Sequence, residues 1–409
     1  MLHKFLATVM VGVAVAASPG VSRADRPTLH ATIAPFNVVG PGQIAIDVTV
    51  AGLEPGLHPT TEGTITVGDM VIDGPRVPMA APYLPGVLDL RAGTFRLGGV
   101  TILHFNALPP LSQNLPMVVD VTVRQGGAAT TVRRTGTLLL PTLIVPGYLN
   151  DLDSKPDADL VAILEQRGYR VAGRSPTMFW FTYSSRRLSL EGGAHALAAY
   201  VRRTVLPSIY AARINVVGYS EGGLIARWAL AFDPDLASLV NQFVMIGVPN
   251  EGAAASYVYG WYPALAGIAA TPGARAMFPT YPFWRPNRDT SWTAPADGQN
   301  AALARLNTQP LPDGLRMYAF YGSGTRTTWA GLTGTLPEAV YSYGPGDGVV
   351  LVASVLGLPI HGGGGVPALA DRLIKVDLRD VRHLSLFRVA LPKVADLLAD
   401  EGVNAAGRR

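Results

Sequence analysis

The sequence predicts two architectures in one chain: an all-β sandwich over residues 25–140, then an α/β domain with a mostly parallel sheet over residues 141–409. Three observations carry this reading. Apolar residues alternate at period two as far as about residue 140, the signature of strands with one buried face. From Pro141 onward, short runs that are apolar throughout alternate with helix-period segments, as in a parallel sheet covered on both faces. A length of 409 residues also exceeds one ordinary domain and is enough for two cores.

The elements follow in order. His3 and Lys4 precede an apolar run from Phe5, then Pro19-Gly20 and the small residues of Ser22-Arg23-Ala24, a pattern that predicts a secretory signal over residues 1–24 and a secreted or periplasmic protein. That run is shorter than the roughly 20 residues of a membrane span. In "QIAIDVTVAGL", Ile44, Ile46, Val48 and Val50 share one face; in "MVVDVTV", Met117, Val119, Val121 and Val123 do the same. Repeated strands of this kind separated by turn residues predict an immunoglobulin-like sandwich.

After residue 140, "TLIVPGY" reads as a buried strand. "SKPDADLVAILEQRG" reads as a helix, with Ser154 and Asp157 spaced as a capping box and Gly168 as its stop. A strand at "MFWFTY", a helix over residues 188–205, the strand "RINVVG", a helix from Glu221 and the strand "QFVMIGVP" come next. Residues 252–311 interrupt the alternation with an insert rich in aromatics, among them Tyr257, Tyr259, Trp261, Tyr262, Phe278, Tyr281, Phe283, Trp284 and Trp292.

Composition narrows the chemistry. With no cysteine, disulfides, thiol nucleophiles and thiolate metal sites are excluded. The net charge of +4 rests on 15% charged residues in dispersed pairs such as Arg133-Arg134 and Arg202-Arg203, which read as solvated faces and argue against a nucleic-acid site. No spacing of acidic residues suggests a metal, and no motif suggests a cofactor.

The segment "VVGYSEGGL" holds Gly-x-Ser-x-Gly around Ser220. With 45 glycines in the chain, roughly 0.2 such pentapeptides are expected by chance, so the pattern alone decides little. Its setting decides more. A strand runs directly into it and a helix leaves it, the context of the nucleophile elbow of an α/β-hydrolase. Glycines around a strained turn leave room that a Cβ would fill, and a helix N-terminus favours developing negative charge.

A serine hydroxyl needs a base, and the base needs an orienting carboxylate; in this fold they follow the serine as acid, then histidine. Only His361 and His383 come after Ser220. His383, just past the apolar strand "RLIKVDL" and before the last helix, suits the base better than His361 in the "HGGGG" loop. Asp347 in "YGPGDGVVLVAS" is the candidate acid, with Asp377 and Asp380 too near His383 to come from a separate loop. The oxyanion hole is expected from the N–H of Glu221 and from that of Tyr148, exposed by the turn at Gly147.

These motifs together resemble the lecithin:cholesterol acyltransferase-like lipases, with a looser similarity to inositol deacylases of lipid anchors. The pieces are "LIVPGYLND", "FWFTYSSRRLSLE", "GYSEGG", "MIGVPNEG", "YAFYGSGTRT", "GPGDGVVLVAS" and "RHLSLF", in family order across residues 142–391. The resemblance implies the same assignments: Ser220 as nucleophile, Asp347 as acid, His383 as base, Tyr148 and Glu221 as oxyanion donors. Ser184 and Ser185 stand where that family carries Asp-Trp, and the first 140 residues lie outside the resemblance. In such lipases the place of the aromatic insert holds a cap.

The expectation is therefore a serine ester hydrolase for lipid or other hydrophobic esters, in transient contact with a lipid surface and needing no cofactor. An acyltransferase that passes the acyl group to an alcohol would use the same residues. A surface-binding protein on a hydrolase scaffold is the non-enzymatic alternative, and the complete Ser, Asp and His set argues against it.

Overall fold

The computed structural model describes residues 28–34, 36–57, 59–78, 83–97, 100–104, 106–148, 158–171, 176–253, 270–281, 283–284, 292–293, 300–326, 345–360 and 364–406. The expected signal segment, the capping box, His361 and the first four aromatics of the insert lie outside these residues.

The first part is all-β and antiparallel among the described residues. Its strands hydrogen-bond in ladders of three, five and four, where an immunoglobulin-like sandwich presents two sheets. The expected single strand through Ile44 and Val50 is two strands, Gln43–Ala45 and Val48–Ala51, which belong to different ladders. Period-two patterning is blind to that break, because the chain passes between ladders at Ile46 and Asp47 without changing which residues face inward. Ile44, Ile46, Val48 and Val50 are all buried, as are Met117, Val119, Val121 and Val123 on the long strand Leu115–Gln125.

The second part is built on a six-stranded parallel sheet. Its strands are β1 (Thr142–Val145), β2 (Met178–Trp180), β3 (Ile214–Tyr219), β4 (Val240–Ile246), β5 (Arg316–Tyr321) and β6 (Leu373–Asp377), in the order β2-β1-β3-β4-β5-β6. The apolar runs fall where they must: every residue of β1 and β3 is buried, because helices cover both faces. Helices α1 (Ala158–Gln166), α2 (Leu190–Tyr200), α3 (Glu221–Phe232) and α4 (His383–Ala406) supply that cover. Ser189 caps α2, its side chain accepting from the Gly192 N–H; the helix expected over 188–205 passes into a wider π turn at Val201–Val205. All residues of α3 from Glu221 to Leu230 are buried, which marks it as a helix enclosed on every side.

The order in which strands are added reverses between β1 and β3, since β2 lies outside β1 while β4, β5 and β6 extend the sheet the other way. At such a switch point the loops after the two central strands diverge and leave a crevice at their carboxyl ends. The loop after β1 and the turn after β3 are the two segments that carry Tyr148 and Ser220.

The two parts are joined by hydrogen bonds as well as by chain. Asn114, 6% exposed, donates to the Leu398 carbonyl of α4 at 2.6 Å and accepts from the Leu140 N–H at 2.7 Å. Leu111 bridges to Ala211, accepting from the Ala212 N–H at 2.8 Å. The Asn114 contact gives the buried Leu140 N–H its partner.

Candidate active site

Ser220 terminates β3 and opens α3 with φ 51° and ψ −126°. Among the described residues only Arg379 shares a positive φ without being glycine. A serine costs roughly 1–3 kcal/mol to hold there, so the surroundings must fix it. They do so by contact: the Ser220 N–H donates to the Ile246 carbonyl at 2.9 Å, and its neighbours leave no room to relax. A Cβ on Gly218 would stand 2.4 Å from the Gly223 Cα, and one on Gly222 would stand 2.1 Å from the Pro146 carbonyl oxygen. The glycines of the motif are thus required by close approach of the elbow to its own helix and to the loop after β1.

His383 begins α4, after the short loop 378–382 that follows β6, and reaches back to this turn. Its Nε2 lies 3.0 Å from Ser220 Oγ, and its Nδ1 lies 2.7 Å from Asp347 Oδ2. Ser220 and His383 are each 6% exposed and Asp347 1%, the deepest of the three. Asp347 Oδ1 accepts from the Val349 and Val350 N–H groups at 3.0 and 2.8 Å, and the His383 N–H donates to the Asp347 carbonyl at 2.9 Å. A carboxylate only accepts, so Nδ1 must carry a proton toward it and the neutral ring offers Nε2 as acceptor to the serine hydroxyl. Gly247, at φ 55°, leaves the space the imidazole occupies: a Cβ there would come within 3.2 Å of Cε1 and Nδ1.

Tyr219 stacks on the imidazole with centroids 5.3 Å apart and donates its hydroxyl to the His383 carbonyl at 2.8 Å. Burial and the nearby Asp347 charge push its phenol pKa upward, so it remains a donor. The competing acids are elsewhere. Asp377 accepts from Ser323 Oγ and from the Arg379 N–H, and Asp377 and Asp380 are both exposed.

Tyr148 sits in the loop after β1, against the elbow: a Cβ on Gly147 would lie 3.0 Å from Ser220 Cβ. Glu221 is the first residue of α3, with a buried side chain that accepts from the Tyr183 hydroxyl at 3.0 Å. Asp347, His383 and Ser220 thus form one hydrogen-bonded series at the carboxyl end of β3, with Glu221 next to Ser220 and Tyr148 in the loop after β1, its hydroxyl 2.6 Å from Thr271 Oγ1. Sequence reading missed Tyr183, Tyr219 and a polar cluster beneath the elbow helix, whose only signal is polar residues within apolar stretches.

In that cluster Arg227 of α3, 1% exposed, donates to Asn250 Oδ1 at 2.8 Å and to Asn307 Oδ1. Asn307 Nδ2 in turn donates to the Asn250 carbonyl at 2.9 Å and lies 3.3 Å from Glu251 Oε1. Burial lowers the Arg227 pKa to about 9 and raises that of Glu251. Asn250 also donates to the Val355 carbonyl at 2.7 Å, and Ser354 to that of Gly252 at 2.7 Å, which ties the loop after β4 to the helix Val352–Leu356 that follows Asp347. Of the aromatic insert, Tyr281 is buried in a small cluster with Leu351 and Ile360.

A parallel sheet of this strand order, a serine in a strained turn between β3 and α3, and partners from the later loops define an α/β-hydrolase type of fold. No protein-family model matches the chain. Among solved structures it is similar to a phospholipase from Legionella pneumophila, at 16% identity and TM-score 0.35, over 53% of this chain and 45% of that one. It is also similar to a metagenomic carboxyl esterase (16%, TM-score 0.36, 64% of this chain and 75% of that one) and to a Pyrobaculum calidifontis esterase (13%, TM-score 0.35, 72% and 87%). The chain thus spans less than half the length of the phospholipase.

Proposed function

We propose that the protein is an exported serine ester hydrolase that cleaves hydrophobic carboxylic esters, lipids among them. The observation that carries the reading is the continuous hydrogen-bonded series Asp347–His383–Ser220, with 2.7 and 3.0 Å steps, ending on an oxygen held in a strained turn. In this reading Ser220 Oγ attacks the ester carbonyl carbon while His383 Nε2 takes the hydroxyl proton. The Tyr148 and Glu221 N–H groups receive the oxyanion. Collapse of the tetrahedral intermediate breaks the carbon–oxygen bond, and the His383 proton goes to the leaving alcohol. Water, deprotonated by His383, then attacks the acyl-enzyme and releases the acid. Asp347 Oδ2 accepts from Nδ1 and holds the imidazole in its working tautomer.

The lipase-like specificity, and kinship with the lecithin:cholesterol acyltransferase-like lipases, rest on the ordered motifs and on the aromatic composition of residues 252–311. The β-rich part packs against the catalytic part. Hydrolysis of p-nitrophenyl esters of increasing chain length tests the substrate class: turnover should persist or rise from acetyl to decanoyl. Activity confined to acetyl esters would contradict it. Including a long-chain alcohol separates hydrolysis from acyl transfer, since a new ester in the products would identify transfer.

A further inference from the structure

The Tyr183 hydroxyl stands between two segments of the site rather than at the reacting atoms. Its Oη lies 3.0 Å from the Pro146 carbonyl oxygen and 3.0 Å from Glu221 Oε2. The first belongs to the loop that carries Tyr148; the second belongs to the residue after the nucleophile. These are the two segments assigned the oxyanion N–H donors. A phenol has one proton and donates it to one acceptor at a time, but its oxygen stands at hydrogen-bond distance from both.

The spacing of those segments is already tight, since a Cβ on Gly222 would meet the Pro146 oxygen at 2.1 Å. The ring is held in place, because it stacks on Phe181 with centroids 5.6 Å apart and planes 12° apart, and the residue is 7% exposed. On its other side the Glu221 carboxylate rests on backbone: a Cβ on Gly273 would lie 2.3 Å from Oε1. The hydroxyl donates to one acceptor or the other, and in either case its oxygen is packed 3.0 Å from a group of the elbow and 3.0 Å from a group of the oxyanion loop. Oxyanion donors work only when held within roughly 0.5 Å of the productive geometry.

We propose that Tyr183 is the positioning residue of the oxyanion hole, setting the separation of the Tyr148 and Glu221 N–H groups through Pro146 and the Glu221 side chain. The proposal rests on the ester-hydrolase reading. Tyr183→Phe keeps the ring and removes only the hydroxyl. It should lower kcat by roughly 10- to 100-fold, with KM within about twofold, because a misplaced donor pair weakens the transition state and not the ground state. Affinity for a trifluoromethyl ketone that forms a tetrahedral adduct on Ser220 should fall by the same factor.

Glu221→Ala removes one partner of the hydroxyl, and the double variant Tyr183→Phe/Glu221→Ala should be no worse than the less active single variant by more than about twofold, since Tyr183→Phe already removes the contact that Glu221→Ala removes. Unchanged kcat and unchanged adduct affinity in Tyr183→Phe would overturn the proposal, as would a change confined to KM. Full additivity in the double variant would also overturn it. Absence of ester turnover by the wild-type protein would overturn the underlying function, a result distinct from the others.

Discussion

Replacing Asp347 by asparagine tests the relay with almost no change of shape. The two oxygens of Asp347 have different partners: Oδ1 accepts from the Val349 and Val350 N–H groups, and Oδ2 faces His383 Nδ1 at 2.7 Å. In the Asp347→Asn variant the amide oxygen must keep the first position, because an NH₂ group there would meet two N–H donors. The NH₂ group then faces Nδ1 and forces that nitrogen to accept, so the ring proton moves to Nε2. Nε2 then points a proton at Ser220 Oγ and cannot take one. The expected fall in kcat is on the order of 10⁴, about 5.5 kcal/mol at roughly 1.36 kcal/mol per decade, as for the wrong tautomer in other serine hydrolases. The assay is steady-state hydrolysis of p-nitrophenyl butyrate, with thermal unfolding as the control for fold. A loss of tenfold or less, in a variant that unfolds at the wild-type temperature, would refute the reasoning.

Other variants probe the setting. Gly222→Ala must open a contact from 2.1 Å to at least 3.0 Å against the Pro146 carbonyl, which displaces the oxyanion loop; stability should fall by about 1–3 kcal/mol and kcat by about 100-fold, read by urea unfolding and ester turnover. Arg227→Met leaves Asn250 Oδ1 and Asn307 Oδ1 without their buried donor and should cost about 2–4 kcal/mol in urea unfolding; a cost below about 0.5 kcal/mol would remove the cluster's structural role. Glu251 has its pKa raised by burial, so the stability it contributes is present below the ordinary value of 4.5 and lost as pH rises through the raised value. Glu251→Gln should therefore gain stability relative to the wild type as pH rises above the ordinary value of 4.5, and a difference that stays constant with pH would contradict this.

Legibility in the sequence followed the range of the interactions. β3 and α3 were readable because an apolar run and a Gly-x-Ser-x-Gly turn are local signals, and the structure has Ile214–Tyr219 run into Ser220 and Glu221. His383 was preferred to His361 by its place after the last apolar run, and it begins the helix after β6. Three features were not readable. The break at Ile46 and Asp47 leaves inward-facing alternation intact while sending the chain into a second ladder. The Arg227 cluster pairs residues 23 and 80 positions apart, and buried polar partners of that kind leave no periodicity. Tyr183 carries no local signal, because its contacts are to two acceptors, 37 and 38 residues distant, that meet only in the fold.

The central claim is that Ser220 forms the acyl-enzyme. The direct measurement is mass spectrometry of the protein after reaction with a fluorophosphonate, alongside ester turnover by the wild type and by Ser220→Ala. The account predicts a single phosphonyl adduct on the peptide containing Ser220, no adduct in the variant, and turnover lowered by about a thousandfold or more. An adduct on another residue, or a Ser220→Ala variant that still hydrolyses esters at the wild-type rate, would contradict it.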